Sequence, residues 1–379
     1  MTAPPPHLLF VVLDWGLGHA TRTFPLIQAA QKLQAKGQIE RVTVASSGDA
    51  LAWLRTHVVG LECIEKPSVK ITYSRWAGRW AIAAQLPKFV RGIRNERKWC
   101  RAYCRAEGVT HIISDNAYGS WSPGVRSVLI THQLSPAVPV WMRSAARWAV
   151  HLALRPFDEI WVPDWPRASR RSGAHPSGVL SGSMAEGLSR DANRIRFLGP
   201  MSRFVRSTTE ARSGPVDIAL VASVSGPAPH RERMEHAVRT LFLRDGRPAL
   251  ILAGRPDAGQ QMTRHSNVTT LYNPTDQQMR TAYLEAEVLI CRSGYSTLMD
   301  LAALNITAHL IPTPGQPEQI QLAQQWSKHF SWSVLGQREI PLLSLMPSKG
   351  EQPEEKSPIG TDPIGDALRA HISLASRLN

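Results

Sequence analysis

Short apolar runs alternate along the chain with longer stretches in which apolar residues recur every three to four positions, the pattern of parallel strands joined by crossover helices. The runs fall into two sets. The first holds residues 8–13, 42–45, 111–114, 127–130 and 159–162, followed by 196–198. The second holds 217–222, 249–253, 268–272, 288–291 and 308–311. Between them, residues 202–215 lack apolar periodicity and end in the turn pair Gly214-Pro215, which marks a domain boundary. Residues 348–366, rich in Pro, Gly and Glu, read as a polar loop before a last helix, Ala367 to Leu378. The expectation is an α/β chain with one domain over 1–200, a linker at 201–214, a second domain over 215–347, the loop at 348–366 and a terminal helix within 367–379. A length of 379 residues agrees with two domains at roughly 150 residues each.

Composition is that of a folded chain, since 43% hydrophobic and 20% charged residues leave no reason to expect disorder. Met1 to His7 carries no basic segment, and the run at 8–13 is too short for a signal-peptide core or a membrane span, so it reads as a buried strand. Cys63, Cys100, Cys104 and Cys291 show no zinc-type pairing, and no metal site is expected. Cys100 and Cys104 fall on one helix face, and the expected compartment is the reducing cytoplasm.

A net charge of +14 asks for an anionic partner without naming it. Between residues 70 and 105, ten Lys or Arg face one acid, Glu96, with Trp76, Trp80, Phe89 and Trp99 interleaved. In 141–155, Trp141, Ala145, Trp148 and Leu152 recur at helical spacing with Arg143 and Arg147 beside them. Both stretches suit the inner, anionic face of a membrane, where apolar area adds to about 1 kcal/mol per nearby basic residue. Both equally suit a core-facing helix with a solvated basic face. Nucleic acid ranks lower, because no recognition motif accompanies the charge.

Candidate chemistry begins after the first run, at Asp14-Trp-Gly-Leu-Gly-His-Ala-Thr-Arg22, which leads into a helical pattern from Thr23 to Ala35. Gly16 and Gly18 permit a tight turn that brings backbone N–H groups close to a ligand, and a helix start favours anions. The third glycine and later acid of the dinucleotide fingerprint are missing, so a nicotinamide site is disfavoured. His19 on that turn is suited to general-base work, with a packing or capping histidine as the plainer reading. The second segment is Val288 to Ala303, a buried strand turning into a helix at Ser293-Gly294. Hydroxyls and N–H groups of Ser293, Gly294, Tyr295, Ser296 and Thr297 would face an anion there. Asp300, further along that helix, is able to accept both hydroxyl hydrogens of a ribose, or is a solvated helix residue. Ile311-Pro-Thr-Pro-Gly-Gln-Pro-Glu-Gln-Ile320 then places Gln316, Glu318 and Gln319 on a loop entering a helix, where amides and a carboxylate suit sugar hydroxyls.

Taken together, the glycine-histidine turn at 16–19, the Ser293 to Thr297 turn with Asp300, and Pro312 to Gln319 resemble the GT-B glycosyltransferases. The nearest pattern is the group that adds N-acetylglucosamine to the lipid intermediate of peptidoglycan. The resemblance runs from about residue 8 to about residue 325 and is most specific in the C-terminal pair of motifs. It implies two Rossmann-like domains with a cleft between them, an acceptor-side N-terminal one and a C-terminal one that holds a nucleotide-sugar, with no metal and no cofactor. It also implies that the last helix packs back on the first domain. By resemblance Asp300 is the ribose carboxylate, Gln319 touches the donor sugar, Ser225-Gly226 is a phosphate loop, and Arg203 stands just past the crossing between domains. The chain departs from the group at Gln133, where it has a glutamate, and at Ile320, where it has a second glutamine.

The reaction so implied is an inverting transfer from a nucleotide-sugar, with uridine the family-based base, to an acceptor that the residues leave unidentified. His19 is the first choice for the base that deprotonates the acceptor hydroxyl, with Asp115 and His132 as alternatives. Ser225-Gly226, the helix start at 293–297 and Arg203 would meet the leaving diphosphate. Two rival readings remain: a nucleotide-sugar hydrolase, which would share the Gly16 to Arg22 turn, and a non-catalytic nucleotide-sugar-binding protein of the membrane surface.

Overall fold

The computed structural model describes residues 6–68, 86–135, 138, 140–167, 176–187, 189–204, 218–255, 259–347, 350–351 and 362–375. The chain divides into two compact units, Met1–Met201 with Lys356–Asn379, and Ser202–Glu355.

In the first unit the described elements are β1 (His7–Val12), α1 (Leu17–Ala35), β2 (Arg41–Ser46), α2 (Gly48–His57), β3 (Glu62–Glu65), α3 (Leu86–Glu107), β4 (His111–Asp115), β5 (Arg126–Ile130), α4 (Arg143–Leu154), β6 (Glu159–Val162), the two-residue pair β7 (Pro166–Arg167) and β8 (Ser177–Gly178), and β9 (Ile195–Phe197). Seven strands form one parallel sheet in the order β3-β2-β1-β4-β5-β6-β9. The central strands are buried on both faces, which is why they stand out as unbroken apolar runs. Leu9, Val11, Cys100, Cys104 and Ile112 pack one face under α3. Leu129, Leu154, Phe157, Ile160 and Val162 pack further along the sheet.

The second unit repeats the plan with β10 (Leu220–Val224), α5 (His230–Asp245), β11 (Ala249–Ala253), β12 (Gln261–His265), β13 (Val268–Tyr272), α6 (Asp276–Glu285), β14 (Val288–Cys291), α7 (Tyr295–Leu304), β15 (His309–Leu310) and α8 (Pro317–Phe330). Its sheet runs β12-β13-β11-β10-β14-β15, parallel except for β12, which lies antiparallel on β13. Val224, Val238, Phe242, Ile251 and Ile290 are central to its core. The last helix, α9 (Pro363–Ala375), belongs to the first unit and packs on α1. Its His371 is fully buried and lies 3.1 Å from Glu159 at the start of β6. No helix among the described residues is long and apolar enough to cross a membrane.

Several elements differ from expectation. Helix α1 starts at Leu17, six residues before Thr23, and carries Pro25 inside it, so His19 sits in the first helical turn. Strand β3, Glu-Cys-Ile-Glu, and strand β12, whose five residues are all exposed, lie at sheet edges and lack the apolar run that marks a central strand. The last helix starts at Pro363. The linker expected at 201–214 falls outside the described residues from 205 onward, as do 69–85 of the first basic stretch and 348–349 and 352–361 of the polar loop.

The two basic stretches turn out unlike each other. Helix α3 buries Gly92, Glu96, Cys100 and Cys104 on one face and exposes Arg91, Arg94, Lys98 and Arg105 on the other, a core-facing helix with a solvated cationic side. Arg97 stacks over Trp121 at 3.8 Å. Helix α4 and the turn before it leave Trp141 82% and Trp148 58% exposed, with Met142 and Leu152 also open, so these aromatic side chains face outward.

Candidate functional site

In an open α/β sheet, ligands bind beyond the carboxyl ends of the strands where the strand order reverses. In the first unit that point lies between β1 and β4, which run side by side with Val12 opposite Asp115. Helix α1 begins directly above it, with Gly16 as N-cap at φ 86° and no side-chain cap on its free N–H groups. His19 Nδ1 lies 3.2 Å from Asp115 Oδ1. Arg22 grips the same carboxylate in a fork, its Nε donating to Oδ2 at 2.8 Å and its Nη2 to Oδ1. Thr23 Oγ1 donates to Oδ2 at 2.7 Å. Asp115 is fully buried, whereas the His19 side chain is 16% exposed. Burial alone would raise the Asp115 carboxyl, but the charges of Arg22 and His19 beside it hold it well below the usual carboxylate range. A buried, ionised carboxylate behind an accessible imidazole fixes the orientation of the ring.

The two alternative bases, Asp115 and His132, are both buried. Asp115 stands behind His19 with both oxygens already engaged by His19, Arg22 and Thr23. His132 follows β5 and is 2% exposed, with Gln133 beside it donating its N–H to Thr131 Oγ1 at 3.1 Å. The sequence reading missed a further cluster at the same end of the sheet. Lys66, 2% exposed after β3, lies 3.1 Å from Glu96 Oε1 and 3.7 Å from Asp14 Oδ1. Glu96 also accepts from the backbone N–H of Gly119 at 2.9 Å. With Trp15, Phe89 and Asn116 these residues line a cavity of about 30 Å³, room for roughly one water.

In the second unit the reversal lies between β10 and β14, whereas Gly16 and Gly18, also expected at the donor, belong to the first unit. Ser225 and Gly226 follow β10 and are exposed, with Gly226 at φ 106°. Helices α5, α7 and α8 start at this edge with Pro229, Gly294 and Gln316 as N-caps, and none has a side-chain cap. By contrast α6 is closed by a capping box, Thr275 with Gln278. Open helix N-termini present unpaired N–H groups to an anion. Gly294, Ser296 and Thr297 are half-buried there. Ser293 is fully buried and its hydroxyl donates to Gln319 O at 2.9 Å, and Tyr295 is 4% exposed, so these two brace the turn and leave the open face to their neighbours.

Asp300 is 8% exposed and accepts from Ser202 Oγ at 2.6 Å. Burial pushes its carboxyl up to about 6, against the opposing pull of Arg203 and the Ser202 hydroxyl. Arg203 pairs with Asp276 at the start of α6, so its charge is already met inside the unit. Gln319 spends its amide on the loop: Thr313 N donates to its Oε1 at 2.9 Å, and its Nε2 donates to Gln316 Oε1 at 2.6 Å. Glu318 is half-buried on the first turn of α8. One group had no role assigned from sequence. Arg292, 1% exposed between β14 and Ser293, is a buried cation in a strand-to-helix turn, and only that odd placement of an arginine could have flagged it.

Residues 233–349 match the glycosyltransferase family 28 C-terminal domain. That match lies in the second unit, and the fold is that of the GT-B glycosyltransferases. Over 117 residues it is 32% identical to the UDP-N-acetylglucosamine--N-acetylmuramyl-(pentapeptide) pyrophosphoryl-undecaprenol N-acetylglucosamine transferase of Polynucleobacter asymbioticus, a match covering 30% of this chain and 32% of that enzyme. The match to the enzyme of the same name from an Azoarcus strain is 29% over 146 residues, so the chain spans between about a third and two fifths of the length of these relatives. The fold likeness is wider: the calicheamicin glycosyltransferase CalG4 superposes with a TM-score of 0.58 at 13% identity, over 99% of this chain and 94% of that one.

Proposed function

We propose that this family-28-like chain is a glycosyltransferase that moves a sugar from a nucleotide-sugar, with UDP as the carrier, to an acceptor hydroxyl with inversion and without a metal. The second unit holds the donor, and the first activates the acceptor. The observation that carries this reading is the pairing of an accessible His19 with a buried, ionised Asp115 locked by Arg22 and Thr23. His19 takes the acceptor proton as the oxygen attacks the anomeric carbon, and Asp115 stabilises the imidazolium that results. The leaving diphosphate is met by the backbone of Ser225-Gly226 and by the open starts of α5, α7 and α8, which supply in N–H groups the charge stabilisation a metal would otherwise give. Asp300 accepts the ribose hydroxyls with the oxygen that Ser202 leaves open.

The same reading places the protein at the inner face of a membrane, held by the outward Trp141 and Trp148 of the α4 region and by the cationic side of α3. A lipid-linked acceptor fits that position, and the relatives named above act on one by name.

The test is turnover of UDP-sugars with membrane lipid extracts, followed by nucleotide release and by labelled sugar in the lipid phase. His19→Ala is expected to lower turnover roughly 10²- to 10⁴-fold while donor affinity stays within a factor of two or so. A His19→Ala protein that turns over at the parent rate sinks the assignment of the base. UDP release with all the sugar left free in water would make water the acceptor.

A further inference from the structure

The buried Arg292 carries an unusual set of contacts. Its five N–H groups all reach neutral oxygens: Nε to Ser225 O at 3.4 Å, Nη1 to Ile311 O at 3.3 Å and Pro312 O at 3.5 Å, Nη2 to His230 O at 2.9 Å and Gln337 Oε1 at 2.8 Å. No carboxylate among the described residues lies within ion-pair distance of it. A guanidinium taken out of water is normally paired, because an isolated buried charge costs several kcal/mol. Here the hydrogen bonds are satisfied and the charge is not. The carbonyls it holds belong to the Ser225-Gly226 turn, the start of α5 and the loop that leads into α8, which are the segments that border the open end of β10 and β14.

A second, independent group points the same way. Thr313 is fully buried and its Oγ1 has no hydrogen-bond partner, although its backbone N–H is satisfied by Gln319. Gly226, at φ 106°, brings its backbone so close that a Cβ on it would lie 3.6 Å from that hydroxyl. A buried hydroxyl without a partner is a rare and costly feature unless a ligand completes it.

We infer that Arg292 is a positioning residue whose unmatched charge is neutralised by the donor's diphosphate, and that the Thr313 hydroxyl donates to that diphosphate beside Gly226. The inference rests on the donor reading of the second unit. Arg292 acts through the turns it ties: it fixes three loops by their carbonyls, turns their N–H groups toward the open end, and biases that end toward an anion. Thr313 meets the ligand itself. The diphosphate therefore gains affinity over the bare nucleoside from these two residues, while base and ribose do not.

The experiment measures affinity for uridine, UDP and inorganic pyrophosphate by calorimetry in the full chain, for the parent, Thr313→Val, Arg292→Lys and Arg292→Gln, with thermal midpoints recorded alongside. Thr313→Val keeps the shape of the side chain and is expected to lose roughly 10- to 100-fold in UDP affinity with uridine unchanged, as one charge-assisted bond implies. Arg292→Lys keeps the charge and part of the preference for UDP over uridine; Arg292→Gln, if it folds, loses most of that preference. A merely structural arginine would shift the thermal midpoint and leave the UDP-to-uridine ratio as it was. The inference is overturned if UDP binds and that ratio is the same in Thr313→Val and Arg292→Lys as in the parent. If UDP fails to bind while pyrophosphate binds in a Thr313-dependent way, the uridine assignment falls and the inference stands. If neither binds, both fall.

Discussion

Replacing Asp300 with asparagine is expected to make the protein more stable and a worse binder at once. The carboxylate is 8% exposed, and burial raises it from 3.8 to about 6 despite Arg203 and Ser202. A carboxyl raised in the folded state favours folding at low pH, where it is protonated, and loses that advantage as pH climbs from the unfolded value through the folded one. Above pH 7 both states are ionised and the folded state carries the full penalty. That penalty is about 3 kcal/mol, from roughly two units of displacement at about 1.4 kcal/mol each. Asn keeps an oxygen for the Ser202 hydroxyl and removes the charge. Asp300→Asn is therefore expected to stabilise the protein by about 2 to 3 kcal/mol at pH 7.5, or roughly 5 to 10 °C in a two-state melt of the second unit. By pH 4.5 the gain shrinks to about 1 kcal/mol, because the parent is already neutral when folded. Natural sites hold such costs where ligand binding requires them.

The binding half of the prediction uses uridine, which has no phosphate to titrate. The ionised form alone accepts both ribose hydroxyls, so affinity in the parent is expected to fall about tenfold between pH 7.5 and pH 5, following the fraction ionised at a pKa near 6. Asp300→Asn is expected to lose roughly 10- to 100-fold at pH 7.5, as two hydrogen bonds to a charge imply, and to show no such pH dependence. Calorimetric titration with uridine and scanning calorimetry at both pH values read the two halves separately. A variant that melts lower than the parent at pH 7.5 refutes the burial argument. A variant with unchanged uridine affinity refutes the ribose assignment, whatever its stability.

Three further outcomes follow from the same structure. His111 and His371 face each other at 5.1 Å under α9, and burial pulls His111 down to about 3 and His371 below its ordinary value. Each is harder to protonate folded than unfolded, so stability held above pH 6.5 is lost as pH falls below it, for His111 down to about 3 at up to about 1.4 kcal/mol per pH unit, and urea unfolding of His371→Leu is expected to show a shallower acid loss than the parent. An unchanged slope counts against it. Lys66→Met leaves Asp14 and Glu96 buried together without their cation, 9% exposed each, and is expected to cost about 3 to 5 kcal/mol by urea unfolding, with a cost below 1 kcal/mol refuting the role of the pair. Trp141→Ser with Trp148→Ser is expected to weaken sedimentation with anionic vesicles at least tenfold at unchanged stability, and equal binding by the double variant rules out that face as the anchor.

What was legible in the residues, and what was not, divides along one line: local order against pairing across the sheet. Strands buried wholly or in part announce themselves as apolar runs, so 159–162, 249–253, 268–272 and 288–291 stand in the structure with the bounds expected of them. Edge strands have no such signature; Glu62–Glu65 and Gln261–His265 are polar because one side of each meets solvent. The helical pattern was expected from Thr23, yet α1 starts at Leu17 and runs on through Pro25. The turns that carry glycine, histidine and serine are also local, being strand-to-helix junctions. Which residue each turn faces is decided by strand order. Because β4 lies beside β1, Asp115 arrives under His19, Arg22 and Thr23 from 92 or more residues away, and two candidate bases prove to be neighbours. Because β14 lies beside β10, Arg292 reaches the carbonyl of Ser225 across 67 residues and ties the two turns together. Both units thus reverse strand order at the point where their chemistry-bearing residues collect. A motif at the end of a strand names the kind of chemistry, and its partner is found on the strand that the reversal places next to it.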